Sequence, residues 1–389
     1  MKERIKVLQK RLFADGIDAA LLVYSRDVLY YTGTAQPSCL LVTPDDYTLY
    51  VRSGFEFAVQ DVFIGREKLA EERRLEKVLA GALSRLAGKP GKIGAELDIL
   101  TAEQYEALRK ACPGADFVNI SPVTLEQRKV KEPGEIERLR RACDAVHAGH
   151  EAVLATLREG VTELELAAAV ENAHRLAGHE GIFFIRLPDF FMSRGPIGAG
   201  PNLLRNSGVV YTITGVGMSP AVPAGPSRRA IGRGETVIVD IPTLVEGYHA
   251  DQTRTYCLGK AGQAIHALYD DLQAIADHLI GAIRPGMRGS DVYQMAQQKA
   301  DGLGRSAEFM SFGKGKASRI IGHGIGLELN EPPILSGFDS SLIPEGCVVA
   351  LDMHMMADGG GVVKLEDMIH VGSGGNEILT KSPRQLFEI

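Results

Sequence analysis

Asp240, Asp251, His323, Asp352 and Glu366 are the residues of this chain best suited to chemistry, and together they form a candidate metal-ligand set. Each lies in its own short segment. Asp240 ends the apolar run Val237-Ile238-Val239, and Asp251 opens Asp251-Gln252-Thr253-Arg254-Thr255. His323 is enclosed in Gly322-His323-Gly324-Ile325-Gly326, Asp352 follows Val348-Val349-Ala350-Leu351, and Glu366 sits in Lys364-Leu365-Glu366-Asp367. Oxygen and nitrogen donors hold Mn, Co, Zn or Fe, and four carboxylates balance the charge of two dications, so two divalent ions are expected. Such a pair activates a bridging water and clamps both the attacking and the leaving group.

The first two ligands belong to a predicted β-hairpin over Thr236 to Leu258, turning at Glu246-Gly247. With that turn Asp240 opposes Thr253, and Asp251 lies two residues from Thr253 on the same strand. Side chains two apart share a face, so both carboxylates project from one side of the hairpin. Two buried like charges would be costly without a cation between them. A solvated hairpin face carrying ordinary aspartates reads equally well from this segment alone.

The order Asp, Asp eleven residues later, Gly-His-Gly-Ile-Gly, then two acids fourteen apart resembles the pita-bread metallopeptidase family. That family includes methionine aminopeptidase, aminopeptidase P, prolidase and the non-peptidase creatinase. The resemblance runs over almost the whole chain. It implies an α/β (α+β) molecule, with a creatinase/prolidase-like α/β domain followed by a pita-bread domain of four helices on a hairpin-rich sheet. It also implies that Asp251 and Glu366 bridge two metals, that Asp240 completes one site, and that His323 with Asp352 completes the other. A homodimer is expected on the same ground.

The chain departs from the family pattern at four places, as a divergent member. No histidine occurs in Met218–Pro226, where the peptidases carry one about seventeen residues before the first Asp. Asn330 stands seven residues after His323, where a second substrate histidine is expected; its amide can donate a hydrogen bond but cannot shuttle a proton. Asp352 replaces a glutamate that is a candidate general base, and is one methylene shorter. Lys364 replaces an arginine, keeping charge without the planar fork that orients a carboxylate. Asp352 and Asn330 are therefore the candidate catalytic residues, joined by His354, which shares a strand face with Asp352. His249 stands in the same relation to Asp251. Each of these two histidines reads either as a ligand or proton shuttle or as a structural, hydrogen-bonded side chain. Arg254 is expected to support the carboxylates from behind. Phe183, Phe184, Phe190 and Phe191 are candidate pocket or core aromatics.

The elements that must position these residues need two domains, and 389 residues with 45% hydrophobic content suffice for two cores. Residues 1–122 read as the first domain. Its opening helix has the stripe Ile5, Leu8 and Leu12, and strands are expected at 19–24, 39–43, 47–51, 92–95 and 117–120, with a charged helix around Glu71 to Leu86. Residues 121–133 read as a connector within the boundary of the second domain, 123–389. There a long helix is expected from Glu135 to Leu157. Thr162 and Glu165 form a capping box, and Arg284-Pro285-Gly286 separates helices near 263–283 and 290–302. His147, His150, His174, His179, His266 and His278 fall on expected helices and carry no functional reading. The glycines around His323 fit neither a phosphate loop nor a dinucleotide fingerprint, and are expected only to permit tight backbone paths.

A net charge of −6 argues against a nucleic-acid footprint. The five cysteines, odd in number and lacking a C-x-x-C spacing, fit reduced thiols in a cytoplasm. No apolar run approaches the roughly 18 residues of a spanning helix, so no membrane role is expected. The leading reading is a metal-dependent hydrolase resembling Xaa-Pro aminopeptidase or dipeptidase, cleaving a small peptide amide. The alternatives are a non-peptidase small-molecule C–N hydrolase or lyase on the same fold, and a catalytically impaired binding protein.

Overall fold

The computed structural model describes residues 3–74, 77–78, 91–187, 195–205, 207 and 212–389. It divides into two compact units, Met1–Arg128 and Lys129–Ile389. The first carries a six-stranded mixed sheet of β1 (Ala19–Leu22), β2 (Ser38–Val42), β3 (Tyr47–Val51), β4 (Leu69–Glu71), β5 (Lys92–Ala95) and β6 (Asp116–Asn119), in the order β4-β3-β2-β1-β5-β6. Its core gathers Leu21, Leu41, Ile93 and Leu108. Ile5, Leu8 and Leu12 are buried on the helix Arg4–Ala14, as the stripe predicts. The stretch expected to be a connector is instead partly helical, over Ser121–Arg128. Arg128 closes the first unit and makes a buried ion pair with Asp27 at 2.8 Å. The helix expected from Glu71 lies largely outside the described residues, and Glu71 itself closes β4.

The second unit is built on β7 (Ile197–Ala199), β8 (Thr236–Asp240), β9 (Thr243–Val245), β10 (Tyr248–Ala250), β11 (Thr253–Cys257), β12 (Ser311–Gly313), β13 (Lys316–Ala317), β14 (Ile320–Gly324), β15 (Glu331–Ser336), β16 (Val348–Met356), β17 (Val362–His370), β18 (Glu377–Ile378) and β19 (Phe387–Glu388). The main sheet runs β15-β14-β16-β17-β11-β8-β7, with β18 on β17 and β19 on β11. Four helices, Pro133–Thr156, Glu163–Leu176, Gln263–Ala282 and Gly289–Gly302, accompany it among the described residues. The Thr162/Glu165 capping box forms, with Glu165 N donating to Thr162 Oγ1 and Thr162 N to Glu165 Oε2. That helix stops at Leu176, and Gly178 with φ 106° turns the chain, so His179 lies beyond the helix expected to hold it. No helix among the described residues is long and apolar enough to cross a membrane.

Strand alternation divides the main sheet into two chemical faces. Val349, Leu351, Met353 and Met355 of β16 and Val363 and Leu365 of β17 pack with Leu268, Leu272 and Leu279 of the helix Gln263–Ala282. Val237 and Val239 of β8 and Tyr256 of β11 pack with Val153, Leu166 and Val170 of the first two helices. The helices therefore cover one face. Asp240, Thr253, Asp352 and Glu366, of opposite parity, belong to the other.

The expected hairpin keeps its register but not its continuity. Tyr248 opposes Val245 and Thr253 opposes Asp240, as the Glu246-Gly247 turn requires. Both turn residues have positive φ, 49° and 78°, as a two-residue hairpin loop of this hand demands. The outer strands, however, join the main sheet, while β9 and β10 form a separate two-stranded sheet. Pro242 lies in one break and cannot donate a ladder hydrogen bond. Asp251 lies in the other, just outside both strands.

Candidate metal centre

Register alone lines up most of the site. Asp240 opposes Thr253, Thr253 opposes Glu366, and Glu366 opposes Asp352, so one transverse row crosses β8, β11, β17 and β16. Asp251 is two residues from Thr253. His323 opposes Ala350, two residues from Asp352, and so reaches the same face diagonally from β14. Strand β14 is wedged between β15 and β16. A Cβ at Gly322 would collide with the Ala350 carbonyl oxygen, and one at Gly324 with that of Pro332. The glycines around His323 thus serve close strand approach, as read from the sequence.

Ligand atoms of Asp251, His323 and Glu366 lie within 4.8 Å of one another, and all three residues are buried. Asp251 Oδ1 and Glu366 Oε1 are buried without a hydrogen-bond partner. His323 Nε2 lies 3.9 Å from Glu366 Oε1. Its Nδ1 meets the Gly324 carbonyl at 3.1 Å, so Nδ1–H donates there and Nε2 presents its lone pair. Unpartnered buried carboxylate oxygens beside an imidazole nitrogen fit a divalent cation.

Asp240 and Asp352 stand outside that triplet. Both turn toward Lys364, whose Nζ pairs with Asp240 Oδ2 and lies 2.9 Å from Asp352 Oδ1 and 3.8 Å from Glu366 Oε2. Lys364 shares the site face because it is two residues from Glu366 on β17. That parity was legible in the sequence, but the penetration of the ammonium among the candidate ligands was not.

The electrostatics follow from burial. Burial pushes the Asp251 carboxyl well above the usual carboxylate range, and neighbouring Asp240 adds to the shift. Burial does the same for Glu366, with Asp251 and Asp352 reinforcing it. Burial disfavours the charge on Lys364, but Asp240, Asp352 and Glu366 outweigh it and hold its pKa above the ordinary value. Burial lowers the His323 pKa, which keeps its ring neutral and able to bind metal. Asp352 keeps a side chain 16% exposed against 1% for Glu366, so it faces the open side of the centre.

His249 is fully buried. Its Nε2 accepts from Phe184 N at 3.0 Å and its Nδ1–H donates to Gly326 O at 3.0 Å, so both nitrogens are committed to the backbone. His354 donates from Nε2 to Ser311 O at 3.0 Å, and its ring lies 4.9 Å from that of Phe312. Its buried Nδ1 has no hydrogen-bond partner. Burial lowers its pKa to about 4, so the ring is neutral at pH 7. Asn330 presents a buried Oδ1 that lacks a partner. Phe183 stacks on His179 at 5.1 Å, and Phe184 meets His249 edge-on; Phe190 and Phe191 lie outside the described residues.

Arg254 departs from its expected role. It lies one residue from Thr253 and so points to the opposite face. It donates to the carbonyls of Thr253, Glu366, Ser382 and Pro383, and to Asp367 Oδ1 at 2.7 Å. It therefore clamps the backbones of β11 and β17 rather than the candidate ligand carboxylates. Removing one partner of a buried ion pair typically costs ~3–5 kcal/mol. Arg254→Met should lose about that much stability in urea titration; a loss below ~1 kcal/mol would show that Arg384, also paired with Asp367, suffices.

Residues 137–373 match metallopeptidase family M24, and residues 4–130 match the creatinase/prolidase N-terminal domain. The chain belongs to metallopeptidase family M24. Among relatives of this M24 chain is an Xaa-Pro dipeptidase of Pyrococcus horikoshii, 26% identical over 392 residues that cover 100% of this chain and 99% of the relative. Two solved structures share the fold. An Xaa-Pro dipeptidase from Bacillus anthracis superposes with a TM-score of 0.83 at 24% identity, covering 100% of this chain and 99% of the other. The prolidase from Pyrococcus horikoshii gives a TM-score of 0.82 at 23% identity, covering 99% of each chain. Family membership implies divalent metal at the centre, and the Asp251/His323/Glu366 donors accord with it.

Proposed function

We propose that this M24 chain is a metal-dependent hydrolase of the Xaa-Pro dipeptidase type, acting on a small peptide amide and working as a homodimer in the cytoplasm. The observation that carries the reading is the convergence of unpartnered oxygens of Asp251 and Glu366 with Nε2 of His323. The full-length relatives named Xaa-Pro dipeptidase support the substrate class. A divalent ion, Mn, Co, Zn or Fe, would supply Lewis acidity and a hydroxide nucleophile near neutral pH. Asp251, His323 and Glu366 would hold it.

The remaining roles belong to side chains. Asp352, at the open side, is the candidate to accept a proton from the nucleophile. The neutral His354 ring lies two residues further along β16 and can take a proton but not retain it at pH 7. The Asn330 amide can donate a hydrogen bond to a polarised carbonyl oxygen. Thr253 Oγ1 donates to Glu366 Oε2 at 2.9 Å and fixes that carboxylate for its ligand role.

A second reading, a small-molecule C–N hydrolase or lyase, is favoured by Asn330 and the histidine-free loop Met218–Pro226. Loss of one oxyanion donor costs on the order of 10²–10³ in rate. Assay of Xaa-Pro dipeptides with Mn, Co or Zn should therefore give slow, chelator-sensitive turnover, and Asn330→His should raise it. No turnover in wild type or in Asn330→His, with metal bound, would replace the peptide substrate by another C–N bond. Protein that binds neither metal nor dipeptide yet keeps a partner would instead support the binding-protein reading.

A further inference from the structure

We propose that the Lys364 ammonium takes the place of one of the two divalent ions, so that this M24 centre holds a single metal between Asp251, His323 and Glu366. The inference rests on the metal-hydrolase reading above and deepens it.

The five candidate ligands divide into two groups. Asp240 and Asp352 both face Lys364 Nζ, one in direct ion-pair contact and the other at 2.9 Å. Asp251 and His323 face the opposite end, and each keeps a ligand atom within 4.8 Å of Glu366. Glu366 belongs to both groups through different oxygens. Its Oε2 accepts from Thr253 Oγ1 and lies 3.8 Å from Lys364 Nζ, whereas its unpartnered Oε1 faces His323 Nε2 at 3.9 Å. Lys364 Nζ therefore sits at one end of the site beside Asp240 and Asp352, although Asp352 Oδ1 makes no hydrogen bond, and the Asp251, His323 and Glu366 donors gather at the other.

Lysine is suited to this substitution. Its ammonium is a compact point charge on a flexible stem, with donors that can address several oxygens around it, as a small ion does. An arginine fork is planar and pairs with one carboxylate edge-on. The Lys364 side chain is fully buried, and its backbone is locked, with Lys364 N donating to Thr255 Oγ1 at 2.8 Å and Lys364 O accepting from the same hydroxyl at 2.7 Å. The stem is buried along its length, so the ammonium sits among the carboxylates and not in solvent. A second dication held by Asp240 and Asp352 would meet a like charge at contact distance in a medium that screens poorly.

The test is stoichiometry. Chelator-stripped protein is incubated with excess Mn²⁺, freed of unbound ion by gel filtration, and analysed by elemental analysis and low-temperature EPR. Wild type should retain one Mn²⁺ per chain with an uncoupled spectrum. Lys364→Met, which keeps the stem and removes the charge, should retain two with an exchange-coupled spectrum. Asp240→Asn should still retain one, and Asp251→Asn none. Two coupled ions in wild type would overturn the inference while leaving the hydrolase reading intact, and this result needs no variant to fold. A single ion in correctly folded Lys364→Met would also overturn it. No ion in wild type would overturn both the inference and the reading on which it rests.

Discussion

Glu366→Gln should strip the protein of tightly held divalent metal and lower kcat/KM for any substrate it accepts by at least about 10³. Glu366 is shared between the two ends of the centre: Oε1 lies beside His323, and Oε2 accepts from Thr253 and faces Lys364. An amide offers one weaker acceptor where the carboxylate offers two charged ones. Metal-assisted polarisation supplies several kcal/mol of transition-state stabilisation, and each 1.36 kcal/mol is tenfold in rate, so its loss corresponds to roughly 10³ or more. Elemental analysis and initial rates, measured on the same preparation, check the two halves together. Full activity with metal retained would remove Glu366 from the ligand set.

The second large effect is on stability, and its sign depends on metal. Asp251 and Glu366 have folded-state pKa values raised above their unfolded values, near 4, by burial first and by neighbouring acids second. For such groups the contribution to stability is fully present below the unfolded pKa and is lost as pH rises through the folded pKa. Metal-free protein therefore carries an unrelieved burden at neutral pH that acid removes. In chelator, Asp251→Asn should melt higher than wild type at pH 8, and this advantage should shrink toward pH 4. Mn²⁺ at about 100 times its Kd should stabilise wild type by ~2.7 kcal/mol at pH 8, and by less at pH 5, where ligand protonation competes. In Asp251→Asn the ion should have little effect. Calorimetry across pH, with and without Mn²⁺, decides the matter. A metal-free wild type that melts above Asp251→Asn at pH 8 would contradict the assignment of unrelieved charge.

The sequence by itself picked out the acids and the imidazole that gather on one face of the sheet, and most of the elements that carry them. Period-two alternation, the Glu246-Gly247 turn and the Thr162/Glu165 cap are local properties, and they form in the structure as local chemistry requires. The row from Asp240 through Thr253 and Glu366 to Asp352 follows from antiparallel register once the strand order is known, but strand order is not written in any one segment. Tertiary structure alone decided three things. It detached β9 and β10 from the main sheet, because Pro242 breaks one ladder and Asp251 lies in the facing gap. It turned Arg254 to the backbone carbonyls of the ligand strands, away from the carboxylates, because a one-residue offset on a strand reverses the face. It placed Lys364 Nζ among Asp240, Asp352 and Glu366, because a buried ammonium finds its counter-ions across strands that are up to 124 residues apart in sequence.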